Sequence, residues 1–136
     1  MQPVSGTAQQ IIEIGQRLAQ KGFIAGADGN ISVRISPSEI MVTPSGLPKG
    51  RLMLDDLVTV DSNGKHLSGE RRASSELLMH LFVYAQRPDI QACVHSHPPH
   101  TTAFAVAGKP LPTDILPEVI LVVGEIPLTE YAATGT

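Results

Sequence analysis

Apolar residues recur at two intervals along this chain, and the intervals predict a protein of mixed helices and strands. Spacings of three and four, with serine, glycine or proline at the ends, predict three helices: residues 7–21, 74–86 and 101–107. Short runs rich in valine and isoleucine predict five strands: residues 31–35, 40–43, 57–60, 90–97 and 119–123. Asp61-Ser62-Asn63-Gly64 carries the Asn-Gly signal of a hairpin. Because several strands follow one another directly, the pattern favours a mixed or largely antiparallel sheet flanked by helices.

The second predicted helix carries a clear apolar stripe and begins with two serines and a glutamate. The stripe is predicted to be the buried face of the helix, and it consists of Leu77, Leu78, Leu81, Phe82 and Ala85. Ser74 or Ser75 is predicted to be the N-cap. His80 and, outside the helix, His66 are predicted to lie on the surface.

Length and charge exclude several classes of protein. The chain has 136 residues, which is typical of one domain, and residues 1–136 are predicted to form a single domain. A net charge of −3 leaves no basic excess for a duplex, so nucleic acid is not an expected partner. No apolar run approaches the roughly 20 residues that span a bilayer, and one cysteine permits no internal disulfide. We therefore expect a cytoplasmic enzyme or binding domain without a membrane partner.

The strongest chemical signal is His95-Ser96-His97, near the end of a predicted strand and directly before Pro98-Pro99. Because alternate side chains of a strand share a face, both imidazoles are predicted to point the same way. Such a pair can bind zinc or another divalent metal, or it can consist of ordinary polar residues on a solvated face. Cys93 shares that face and is either a third ligand or, as we favour, a small buried apolar residue.

Two further groups of residues can bind an anion, although each also has a purely structural interpretation. Ser74-Ser75-Glu76 lies where hydroxyls and free N–H groups can hold a phosphate and Glu76 can move a proton, or where all three simply cap a helix. Gly29-Asn30 and Ser45-Gly46 offer neutral donors, or they form ordinary turns. Combined with the histidine pair, these groups fit a metal site for a small phosphorylated carbonyl substrate.

The sequence resembles the class II aldolase/adducin family, and within it most closely the L-fuculose-1-phosphate aldolase-like members. The resemblance covers essentially the whole chain and rests on seven motifs in order: Gly29-Asn30-Ile31-Ser32-Val33-Arg34, Thr43-Pro44-Ser45-Gly46, Asp61-Ser62-Asn63-Gly64-Lys65, Ser74-Ser75-Glu76, Arg87-Pro88-Asp89, Val94-His95-Ser96-His97 and Tyr131-Ala132-Ala133-Thr134-Gly135-Thr136. Each motif alone is weak, whereas the ordered set is specific.

The resemblance implies an α/β fold, a three-layer α/β/α sandwich around a mixed, mostly antiparallel sheet. It implies Zn²⁺, or another divalent metal, held by His95 and His97, and it makes Glu76 the proton donor and acceptor and a further metal contact. The positions that match the substrate phosphate site are Gly29, Asn30, Ser45, Gly46, Ser74 and Ser75. Such aldolases cleave a ketose 1-phosphate to dihydroxyacetone phosphate and an aldehyde through an enediolate, and they are typically homotetramers.

Two departures from the family pattern affect the expected activity. The family's third zinc-binding histidine follows the stretch that begins at Tyr131, so we expect this chain to lack that ligand and the C-terminal part of the domain. The family's interface tyrosine falls at Leu116, which cannot donate a proton. We therefore expect weak or no aldolase activity from these 136 residues alone.

Other functions within and outside the enzymes remain open. A sugar-phosphate 4-epimerase, a dehydratase or a decarboxylase of the same superfamily is the first alternative. Glu76 stands where the resembling epimerases carry aspartate, which modestly favours an aldolase. An adducin-like interaction module without catalysis is the second alternative, but a scaffold needs none of His95, His97 and Glu76.

Overall fold

The computed structural model describes residues 4–133, apart from the side chain of Val4. This part of the chain divides into two compact units, residues 4–97 and Pro98–Ala133, which are described in turn. Thr134, Gly135 and Thr136, the end of the last family motif, lie outside the described residues. No helix among those described is long and apolar enough to cross a membrane.

The first unit consists of a five-stranded sheet and two α-helices. The helices are α1 (Val4–Gln20) and α2 (Leu77–Gln86). The strands are β1 (Asn30–Ser36), β2 (Glu39–Val42), β3 (Val58–Asp61), β4 (His66–Ser68) and β5 (Ala92–His95). They lie in the order β4-β3-β2-β1-β5, and each of these four pairings is antiparallel. The predicted α/β fold is confirmed.

Alternation along the strands builds a separate core on each face of the sheet. Met41 points to the face covered by α1, where it packs with Ile11, Ile12 and Ile31. Its neighbours Ile40 and Val42 point to the opposite face; they pack with β3 and with Tyr84 of α2. The unit therefore has three layers, with one helix on each side of the sheet.

The face of α2 that meets the sheet differs from the predicted stripe. His80 and Tyr84 are buried, whereas Leu78 and Phe82 are 62% and 65% exposed. The prediction that His80 lies on the surface is wrong, because its ring has a hydrogen-bond partner inside, Oγ of Ser32. The predicted cap is also wrong: α2 begins at Leu77 with Glu76 as N-cap, and no side chain caps it.

The predicted hairpin is confirmed between β3 and β4. The carboxylate of Asp61 accepts hydrogen bonds from the backbone N–H groups of Asn63 and Lys65, at 2.8 and 2.9 Å. Gly64 takes a positive φ of 85°, a conformation that glycine adopts without a steric penalty.

The second unit contains a short helix, α3 (Pro99–Val106), and a π-helical turn at Val119–Val123. The prediction of a strand at Val119–Val123 is wrong. The N–H of Gly124 donates to the carbonyl of Val119, and the N–H of Ile120 donates to the carbonyl of Leu116. These backbone groups are therefore paired with near neighbours in the chain and not with another strand. Strand propensity depends on a pleated, half-buried surface, and Leu121 and Val122 are both 83% exposed here.

Candidate functional site

A single cavity of about 250 Å³ in the first unit brings together all nine predicted site residues. They come from separate elements: the loop before β1, the loop after β2, the turn before α2, and the end of β5. The predicted residues in its wall are Gly29, Asn30, Ser45, Gly46, Ser74, Ser75, Glu76, His95 and His97. Ala27, Asp28 and Lys49 complete the lining and were not predicted.

The histidine pair is arranged as a divalent metal requires. Nε2 of His95 and Nε2 of His97 lie 3.1 Å apart, and the ring centroids are separated by 4.8 Å. Two Zn–N bonds of about 2.0–2.1 Å at a tetrahedral angle would place the two nitrogens about 3.3 Å apart. His97 lies beyond β5 and is fixed by a 2.8 Å hydrogen bond from its N–H to the carbonyl of Phe23. The two imidazoles therefore fit a shared metal ion.

Gly29 lies directly against the first of these histidines. A Cβ at Gly29 would lie 2.7 Å from the carbonyl oxygen of His95 and 2.7 Å from Cγ2 of Ile24. Gly29 also has a φ of +69°. Both the close approach and the backbone conformation require glycine at this position.

Asn30 lies behind His95 and offers a second observation that bears on a metal. Its Nδ2 lies 3.3 Å from Nδ1 of His95, while its buried Oδ1 has no partner among the described residues. A metal on Nε2 leaves a proton on Nδ1, which needs an acceptor. Rotating the Asn30 amide by 180° supplies that acceptor, because the amide oxygen and nitrogen exchange places. In that orientation the oxygen of Asn30 would accept from Nδ1 of His95, as a metal-bound His95 requires.

Two carboxylates lie near the histidine pair, but they do not complete a set of metal ligands. Burial lowers the pKa of His95, His97 lowers it further, and the Glu76 and Asp28 carboxylates act in the opposite direction. Oδ2 of Asp28 lies 3.9 Å from Nδ1 of His97. Within residues 4–133 no three His, Cys, Asp or Glu side chains are close enough to enclose a metal. Cys93 is absent from the cavity lining and is half-buried against the core that α2 covers, which agrees with a small apolar residue rather than a third ligand.

The remaining wall of the cavity is rich in unused hydrogen-bond donors. Among residues 4–133, the backbone N–H groups of Gly29, Gly46 and Ser75 donate to no other group. The N–H of Ser45 is occupied by the carbonyl of Arg72, and that of Ser74 by the carbonyl of Thr43. Free N–H groups beside serine hydroxyls form a neutral surface suited to a phosphate.

Comparison with known proteins identifies the family to which this chain belongs. Residues 9–136 match the family described as Class II Aldolase and Adducin N-terminal domain. The chain belongs to this family. The class II aldolase family is a lyase-type enzyme family, and the cavity lies among the motifs that carry the resemblance.

Two curated relatives carry different enzyme names. L-fuculose phosphate aldolase of Escherichia coli O6:H1 is 37% identical over 131 residues, which cover 95% of this chain and 59% of that relative. Methylthioribulose-1-phosphate dehydratase of Pseudomonas fluorescens is 39% identical over 98 residues, covering 72% of this chain and 47% of that relative. This chain thus spans about three fifths of the length of the curated aldolase, and its relatives include more than one reaction type.

A solved structure supports the same class II aldolase fold. The structure of an L-fuculose 1-phosphate aldolase superposes with a TM-score of 0.75 at 36% sequence identity. The match covers 81% of this chain and 52% of that chain.

Lys49 is the functional candidate that the sequence did not reveal. Its side chain is buried, and its Nζ donates to the carbonyls of Ala27 at 2.6 Å and Leu47 at 3.0 Å. A lysine in a Pro-Lys-Gly turn carries no pattern that distinguishes it from a surface lysine. The class II aldolase motifs on either side of it gave no signal for its burial.

Proposed function

We propose that this chain forms the metal- and phosphate-binding part of a class II aldolase that cleaves a ketose 1-phosphate, such as L-fuculose 1-phosphate. The products are dihydroxyacetone phosphate and an aldehyde. The observation that carries this proposal is a single cavity that combines a histidine pair 3.1 Å apart, a carboxylate and unused N–H donors. A scaffold without catalysis, as in an adducin-like module, requires no such combination.

The phosphate of the substrate is bound by neutral donors. The free N–H groups of Gly29, Gly46 and Ser75 and the hydroxyls of Ser45 and Ser74 point to this role, because all five residues line the cavity. Such contacts fix the phosphate end of the sugar and so place its carbonyl group beside the histidines.

The reacting end of the substrate lies at the histidine pair. His95 and His97 hold Zn²⁺ or another divalent ion, with Glu76 as a further contact, and the ion would polarise the substrate carbonyl and stabilise enediolate charge. As the bond between carbons 3 and 4 breaks, the Glu76 carboxyl delivers a proton to carbon 3, and the proton of the 4-hydroxyl passes to solvent water. Asn30 orients His95 through its Nδ1.

The location and assembly of the protein also belong to this proposal. By its resemblance to the aldolases, we propose a cytoplasmic homotetramer. Light scattering of the purified protein at micromolar concentration tests the assembly, and a monomer mass would contradict it.

A dehydratase is the second candidate function, because the methylthioribulose-1-phosphate dehydratase relative is 39% identical over its matched region. The two reactions differ in their products. The aldolase releases dihydroxyacetone phosphate, whereas a dehydratase leaves one phosphorylated product that is lighter by one water.

One assay separates these candidates. The protein is loaded with Zn²⁺ and incubated with L-fuculose 1-phosphate, with a chelator-treated sample as control. Dihydroxyacetone phosphate is followed by NADH oxidation in a coupled reaction, and the products are weighed by mass spectrometry. We expect slow, metal-dependent release of dihydroxyacetone phosphate, since Leu116 stands where the family's interface tyrosine falls and cannot donate a proton. Loss of water without cleavage would favour the dehydratase, and an unchanged sugar phosphate on a zinc-loaded protein would contradict both.

A further inference from the structure

Lys49 is a buried cation beside a cavity whose other charged side chains are acidic or histidine. Its exposed fraction is 2%. Among the described residues that line the cavity, Lys49 is the sole lysine or arginine, and the lining also contains the acidic residues Asp28 and Glu76. A buried ammonium group is costly unless hydrogen bonds and opposite charge compensate it, so its position calls for a functional explanation.

The hydrogen bonds of Lys49 connect the two loops that supply the phosphate donors. Nζ donates to the carbonyl of Ala27, two residues before Gly29, and to the carbonyl of Leu47, directly after Gly46. An ammonium group has three N–H donors, and these two bonds use two of them. The ammonium group of Lys49 therefore links the two loops and fixes the distance between them.

The backbone of Lys49 is itself held rigidly by α1. A Cβ at Gly15 would lie 2.5 Å from the carbonyl oxygen of Lys49, and one at Gly50 would lie 2.7 Å from Cβ of Ala19. Helix α1 can approach the Lys49–Arg51 turn this closely only because both positions are glycine. The backbone that carries the Lys49 ammonium group is thus held in place by α1.

Lys49 has a hydrogen-bond donor left for a ligand in the cavity, since its Nζ has two partners among the described residues. Burial lowers the pKa of Lys49, and the nearby Asp28 carboxylate acts against that shift. The two carbonyl partners are neutral, so they satisfy donors without cancelling the charge. A phosphate monoester carries close to two negative charges at neutral pH and can accept a hydrogen bond from the remaining N–H of this ammonium group.

We propose that Lys49 is the electrostatic anchor of the phosphate subsite. Its ammonium group holds residues 27–30 and 45–47 in register and supplies the positive charge against which a phosphate monoester dianion binds. This inference rests on the proposed function for the place of the phosphate, but not for the reaction. Lys49 is a positioning residue, distinct from the residues assigned to proton transfer and metal binding.

Calorimetry of two variants tests this role. Inorganic phosphate is titrated into the metal-free protein, and Zn²⁺ is titrated separately in phosphate-free buffer. We expect Lys49→Met to weaken phosphate binding by about tenfold or more, as for a lost charge-assisted hydrogen bond, with zinc affinity kept within about twofold. The control is Lys21→Met, at an exposed lysine just past α1, which should change neither. Equal losses of phosphate and zinc binding would mean a merely structural lysine and overturn the proposal.

A measurement on the unaltered protein covers the case in which Lys49→Met does not fold. The Nζ resonance of a buried, hydrogen-bonded lysine is observable by ¹⁵N NMR, and it should shift on phosphate addition with the affinity found by calorimetry. An unshifted resonance at saturating phosphate would refute the inference. Because phosphate binding is measured without turnover, a failed aldolase assay with Lys49-dependent binding would refute only the proposed reaction.

Discussion

Oγ of Ser32 on β1 lies 2.6 Å from Nδ1 of His80 on α2, and the same hydroxyl lies 2.8 Å from the hydroxyl of Tyr84. All three side chains are buried. This polar group occupies the same face of the sheet as Asn30 and His95, which pair with each other across β1 and β5. Ser32 and Cys93 form the next pair on that face. It joins α2 to β1 directly behind the histidine pair, where a shift of α2 would move Glu76 as well.

The burial of His80 predicts a pH-dependent stability. Burial, and secondarily the nearby His95, lower the pKa of His80 from 6.5 to about 4. The unfolded chain binds this proton below pH 6.5 while the folded chain does not, so the free energy of unfolding decreases as the pH falls from 6.5 towards 4. Between pH 7.5 and 5 the loss is about 2 kcal/mol. Urea unfolding at both pH values measures it. His80→Gln should lack this component, and ring resonances of His80 that titrate near pH 6.5 would contradict the prediction.

Removing the histidine pair should remove the metal. We expect about one Zn²⁺ per chain in the purified protein and none in the His95→Ala/His97→Ala double variant, because the two Nε2 atoms lie 3.1 Å apart, close enough to share one ion. Elemental analysis with intact mass on the same sample provides the measurement. His66→Ala, at an exposed histidine of β4, is the control that should keep its zinc. Retention of the metal in the double variant would place the site elsewhere.

Gly29 and Gly22 form a matched pair for testing the close approach to His95. Both have a φ of +69°, but a Cβ at Gly22 would meet nothing within 4 Å. Gly22→Ala should therefore cost only the backbone penalty of about 1 kcal/mol. Gly29→Ala should cost about 1–3 kcal/mol more, since its Cβ would overlap the His95 carbonyl, and it should weaken zinc binding. Thermal unfolding and zinc titration measure both, and equal behaviour of the variants would remove the steric argument.

Glu76 can be tested without knowing the aldehyde. Dihydroxyacetone phosphate is incubated with zinc-loaded protein in D₂O, and deuterium entering the carbon next to the carbonyl is followed by NMR. We expect Glu76→Gln to slow this exchange by about 10²–10⁴-fold while the far-ultraviolet circular dichroism is unchanged. Glu70→Gln, an exposed glutamate outside the cavity, should exchange at the native rate. Native exchange by Glu76→Gln would exclude this carboxylate as the acid–base group.

The sequence was most informative where neighbouring residues decide the structure. The Asn-Gly turn depends on a few adjacent positions, so the hairpin between β3 and β4 could be predicted. The ordered motifs selected nine residues, and the structure places all nine in the lining of one cavity. Their chemical roles stay predictions until binding and turnover are measured.

Long-range contacts account for what the sequence could not reveal. His80 was assigned to the surface because a histidine on a helix gives no sign of a partner 48 residues earlier, Ser32. The burial of Lys49 likewise depends on α1 approaching at Gly15, 34 residues away. Val119–Val123 has the composition of a strand, yet its backbone is satisfied within its own turn. In each case a tertiary contact, or the lack of one in the described chain, overrides local preference.

The register of β1 ties hydrophobic packing to ligand recognition. Ile31 belongs to the α1-side core, while its neighbours Asn30 and Ser32 face the polar interior behind the histidines. Because successive residues of a strand face opposite ways, deleting one residue from β1 would turn its apolar positions to the α2 side and its polar positions into the apolar core on the α1 side. Laboratory evolution of new substrate specificity therefore has little freedom to insert or delete within this strand. Length changes are tolerated best in exposed segments away from the cavity, such as residues 37–38, where the chain turns between β1 and β2.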